Sequence, residues 1–181
     1  GKQNPNAPVS VRHRLEAIHG KQDTKAIEAA WSHLGDSDLN VRWAARTAIE
    51  HQPVATWADK ALNETDSAQQ VEALMALARC SGVCPLHRKA DAPPVDTAMR
   101  DKLLATLLKL DLAKLPTAQQ LTALRTIEIV LNRFDGCDDT QRQQLIAKLD
   151  PLFPAATFEQ NWLLCETLVY LQSPTAAAKG M

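Results

Sequence analysis

The residues best equipped for chemistry lie in one short stretch, Cys80-x3-Cys84-x2-His87. Thiolates and imidazole are good zinc ligands, but a structural zinc site takes four, and a fourth would have to come from elsewhere, such as Cys137 or Asp91. Two other readings stand beside that one. Gly82 lets the segment turn tightly enough for a Cys80–Cys84 disulfide in an oxidising compartment, and the plainer alternative is two reduced thiols in a surface loop. Covalent haem attachment needs Cys-x-x-Cys-His, and Pro85 stands where the histidine would have to be. No metal or cofactor is therefore assigned to any residue.

The remaining reactive side chains do not converge. Cys165 sits among Leu163, Leu164, Leu168 and Val169, where a thiol behaves as a small hydrophobe. Cys137 has Asp138 and Asp139 beside it, which disfavour the thiolate. His13, His19, His33, His51 and His87 are scattered, without the paired spacing of a zinc-protease helix. Nothing assembles a base, a nucleophile and an oxyanion donor, and no catalytic residue is assigned. The 20 basic and 21 acidic residues leave a net charge of −1, with no basic block to hold a nucleic acid. No apolar run is long enough to cross a bilayer, and GKQNPNAPVS lacks the order of a signal peptide.

Elements that would position these groups follow from periodicity. An offset of thirty aligns SVRHRLEAI from Ser10, NVRWAARTAI from Asn40 and QVEALMALA from Gln70, so that Val11, Val41 and Val71 coincide. The spacings of four and three residues make each segment an amphipathic helix. Further helices are expected over 24–34 and 54–62, and after the interruption CSGVCPLHRKADAPPVDT over 99–110, 117–133, 140–149 and 158–171. Gly35, Asp36-Ser37-Asp38, Thr65-Asp66-Ser67, Pro53 and Thr117 after Pro116 supply stops, caps and first-turn residues. Aromatics at 4% and abundant Ala, Leu, Gln and Thr fit an all-α chain.

Each aligned helix pairs with the helix that follows it as a hairpin too small to cover its own apolar faces, so stacking into an α-solenoid is expected. The pattern Leu34, Asp36, Asp38, Val41, Arg42, Ala45 resembles the HEAT-repeat consensus. That resemblance implies a right-handed α-solenoid and a ladder of Asp and Arg side chains between hairpins, carried here by Asp36 or Asp38 with Arg42, and by Arg12 on the preceding rung; Glu72 interrupts the ladder in the third copy. The expected organisation is one HEAT-like domain of about four and a half repeats over 1–181, with regular repeats at 10–79, an inserted linker at 80–98, further hairpins at 99–172 and a tail at 173–181, as a fragment of a longer protein.

The stretches AARTAIEHQPVATWADKAL, LDPLFPA and NWLLCETLVYLQSP resemble the HEAT-repeat region of large exported proteins of Planctomycetes and related bacteria. In those proteins the region accompanies sorbosone-dehydrogenase-like or c-type cytochrome segments. The resemblance implies a periplasmic or cell-surface setting and a non-catalytic interaction or scaffold module, with protein or flanking domains as partners. Its binding face would be the second helix of each hairpin, where His13 aligns with Trp43, flanked by Arg46 and Glu50. Trp43 either anchors a partner there or covers the junction with a neighbouring repeat, while Trp31 and Trp57 belong to the core and Trp162 fits either role. The competing function is a small-ligand or catalytic groove like those of HEAT-fold glycosylases or lyases. It would require a pocket around Trp43 or Trp162 with a perturbed titratable group.

Overall fold

The computed structural model describes residues 7–23 and 25–180. Ten α-helices and five 3₁₀ turns occur among them, with no strand. The chain divides into two compact units, the first ending at Ser81 and the second beginning at Gly82. The sequence reading places an inserted linker over 80–98, and the division falls inside that stretch.

The first unit contains α1 (Pro8–Glu16), α2 (Ala26–Trp31), α3 (Leu39–Glu50), α4 (Ala58–Leu62) and α5 (Ser67–Ser81). Helix α3 packs on α1, α2 and α5, and α4 packs on α5. Each of the three aligned helices thus touches its next-but-one neighbour, while the short helices back the longer ones. Val41, Ala44, Ala45, Ala48 and Ile49 form the buried stripe of α3, which is the three-and-four spacing that turns one helical face to the core. In α5 every residue from Val71 to Ala78 is buried, the mark of a helix covered on all sides rather than of a surface helix.

Two helices expected as continuous are broken in two. The stretch expected over 24–34 runs as α2 and then tightens into a 3₁₀ turn, Ser32–Gly35, while its expected first residue, Thr24, lies outside the described residues. A Cβ on Gly35 would lie 3.2 Å from Gln69 Cγ and 3.4 Å from Ala68 Cβ, so this turn sits closely on α5 and any side chain there would make those neighbours give way. The stretch over 54–62 opens as a 3₁₀ turn at Val54–Thr56 and restarts as α4 after Trp57, whose φ of −138° leaves the helical region. Trp57 is 1% exposed and its indole N–H donates to the Gln52 carbonyl at 3.3 Å. Burying that ring with a partner for its nitrogen outweighs helical continuity.

The second unit contains α6 (Thr97–Lys109), α7 (Thr117–Arg133), α8 (Asp139–Leu149), α9 (Phe158–Tyr170) and α10 (Ala176–Gly180). Here α7 packs on α6 and α9, and α8 on α6 and α9, around Leu103, Leu104, Leu107, Ile127, Phe134, Leu145, Leu149 and Leu168. Asp138 caps α8 in a reciprocal box with Gln141. Thr117, expected as a cap, is instead the first residue of α7, and Pro116 holds the cap position without a side-chain bond. The chain leaves α7 through Asp135 (φ 57°) and Gly136 (φ 85°), with Gly136 N–H donating to the Leu131 carbonyl at 2.8 Å, a left-handed helix stop.

The interruption after α5 holds a 3₁₀ turn at Pro85–His87, and Arg88 ties that segment to Asp135 at 2.9 Å. The expected tail carries α10, which packs on α9. Ser173, Thr175 and Lys179 all bond Asp150, the lysine at 2.6 Å.

Candidate functional site

The residues singled out in the first unit gather along α3 and the helices beside it. Asp38 accepts the Asn40 and Val41 amides at 2.8 and 3.2 Å, so its carboxylate is spent on capping α3. Asp36 accepts the Asp38 amide at 2.9 Å and lies 3.5 Å from His33. Arg42 reaches back to the Asp36 and Ser37 carbonyls at 2.7 and 3.1 Å. Arg12 pairs with Glu16, one turn along α1, at 3.2 Å.

The charge network between α3 and α5 centres on the residue that interrupts the sequence pattern. Glu72, 6% exposed, receives Arg46 Nη1 at 2.8 Å and has Arg42 Nε at 3.8 Å. Arg46 Nε also stands 3.5 Å from Glu50, which accepts Arg79 Nε at 2.8 Å. Two arginines of α3 thus share one carboxylate of α5 at the helix junction. A pair this well covered is held by geometry, and removing one side would strand the other's charge.

Beside this network lies an apolar patch. Leu39 and Trp43, one turn apart on α3, are 65% and 62% exposed, and Val9, which the thirty-residue offset aligns with Leu39, is 60% exposed on α1. His13, aligned with Trp43, is also exposed. The ring of Trp43 therefore does not cover a junction, unlike the buried Trp31, which donates to Glu64 at 2.6 Å under Lys60. Ala73 and Ala76, the third-copy counterparts of Trp43 and Arg46, are fully buried. Among the described residues, the exposed members of this aligned set thus fall on α1 and α3.

The thiols stand apart. All four cysteines are unbridged, and Cys80 Sγ approaches the Glu50 carbonyl at 3.6 Å. Burial pushes the Cys137 thiol up, Asp138 adds to this, and Arg142 and Arg100 oppose it. That thiol is a poor nucleophile at neutral pH. Among the described residues no group of three His, Cys, Asp or Glu is arranged to hold a metal ion. None of their helices is long and apolar enough to cross a membrane.

In the second unit a cavity of about 70 Å³ is lined by aliphatic side chains and by Gln120 and Gln160, whose amides bond each other at 2.5 Å. It is small for a ligand, since ligand pockets start at about 300 Å³. Neither Trp43 nor Trp162 lines it. Burial pushes the Glu128 carboxyl up, against Arg125 at 2.7 Å. Burial likewise pushes the Lys148 ammonium down, and its Nζ donates to the Leu108 carbonyl at 3.0 Å and to that of Leu110, closing the end of α6. Lys148 is thereby occupied as a cap and is not poised as a base.

Comparison of the chain with family models, curated proteins and solved structures gives no match.

Proposed function

We propose that this chain is a non-catalytic protein-interaction module, a HEAT-like array of helices whose exposed α1/α3 face receives a partner. The observation that carries the reading is the pair Leu39 and Trp43, about two-thirds exposed on a helix whose arginines are fixed from behind by Glu72 and Glu50. Arginines already fixed by ion pairs lose little further entropy on binding, and the exposed indole beside them offers a large apolar surface for a partner to bury. The next-but-one packing within each unit supports a stacked-hairpin solenoid. An exported setting within a larger protein rests on the sequence resemblance alone.

A peptide library displayed on phage tests the face directly. Selection on the intact chain should enrich sequences whose binding falls by roughly thirtyfold on Trp43→Ala, the scale of an interface anchor. Enriched binders that treat Trp43→Ala and the original chain alike would refute the assignment.

A further inference from the structure

Helix α9 carries a second exposed apolar face. Phe158 is 72% exposed, Trp162 57% and Val169 60%, and the half-buried Cys165 lies between the last two. Their spacings of four, three and four residues are those of a coiled-coil seam. The Phe158 and Trp162 rings lie 5.8 Å apart, giving the seam a stiff aromatic end. The opposite side of α9, through Gln160, Leu164, Thr167 and Leu168, is already buried in the second unit. The seam is therefore surplus to what holds α9 in place.

Charge decides what fits it. The flank of the seam carries Glu159 and Glu166, both exposed, and α9 contains no Lys or Arg. Glu128 of α7 lies close enough to Glu166 to feel its charge, although Arg125 pairs with Glu128. A second copy set antiparallel on the seam would bring Glu159 of one copy against Glu166 of the other, which is unfavourable. An anionic lipid surface would be repelled by the same carboxylates. A helix with an apolar seam flanked by lysine or arginine meets both requirements.

We propose that the Phe158, Trp162, Val169 face of α9, edged by Glu159 and Glu166, docks a basic amphipathic helix of another protein. The contact is a helix-on-helix seam in which apolar burial gives affinity and the acidic edge selects the partner. It involves none of the residues of the α1/α3 face and stands or falls separately from that reading.

Two designed three-heptad peptides test it by titration calorimetry on the intact chain, both with Leu in the seam, one flanked by Lys and the other by Glu. The Lys peptide should bind, more weakly as salt rises, and Trp162→Ala should weaken it by roughly thirtyfold. The double substitution Glu159→Lys, Glu166→Lys, at exposed positions that leave the core intact, should reverse the preference to the Glu peptide. The proposal is overturned by absence of Lys-peptide binding, by equal binding of both peptides, by a preference that survives the charge reversal, or by light scattering that shows the chain pairing with itself. Should Trp162→Ala fail to fold, the charge reversal alone decides.

Discussion

The two units solve the same packing problem with different side chains. Ten buried residues of the first unit are alanines and four are leucines, whereas the second buries two alanines and thirteen leucines. Small residues let helix axes approach closely and leave little room for adjustment; leucines fill a wider gap and interdigitate. The polar groups differ accordingly. Helices α3 and α5 are joined by arginines converging on a buried glutamate, while α7 and α9 are joined by the Gln120–Gln160 amide pair. In the first unit the charged heads of Arg42 and Arg46 meet Glu72 within the junction itself. The lesson is that two five-helix units in one chain can be held by quite different cores.

That contrast can be broken at its strongest point. Glu72→Ala should cost about 3–5 kcal/mol, because it leaves Arg46 and Arg42 partly buried without their carboxylate; chemical denaturation would measure it, and a loss under 1 kcal/mol would mean the network is ornamental. A smaller effect is expected from Ala45→Leu. With Ala45 fully buried, overpacking should cost about 1–3 kcal/mol, and tolerance there would show that the first unit is not closely seated.

The smallest effect concerns the second unit's end. The Lys179 ammonium, with the Thr175 and Ser173 hydroxyls, holds the Asp150 carboxyl below its usual range. A depressed carboxylate stabilises the fold above its unfolded pKa, and that contribution is lost as pH falls through the folded one. Protection of the α10 amides, taken relative to intrinsic exchange at each pH, should therefore fall below about pH 4 while that of α3 and α5 is kept. An equal loss of protection everywhere would contradict a local clasp.

Most of the helical skeleton is legible in the sequence because long amphipathic segments announce themselves by period: α3, α5, α6, α7, α8 and α9 lie where the spacing of apolar residues puts them. What the pattern hides has physical reasons. The breaks at Ser32 and Trp57 come from tertiary contacts of Gly35 and of one indole, which local propensity does not encode. Glu72 reads as a lapse in a repeat because its arginine partners lie a helix away. Trp162 is ambiguous since α9 is apolar on two sides, and periodicity marks a stripe without saying whether it is covered. For the candidate face, Trp43 and its neighbours were visible by alignment of the three copies; the exposure that gives them meaning was not.

The distribution of indoles has a practical outcome. Trp31 and Trp57 are buried and Trp43 exposed in the first unit, while Trp162, the second unit's lone tryptophan, already faces solvent. Ultraviolet emission during denaturation will thus shift to the red almost wholly through the first unit. A melt followed by that signal alone would leave the leucine-rich half optically silent, so its loss of structure has to be followed by far-ultraviolet dichroism.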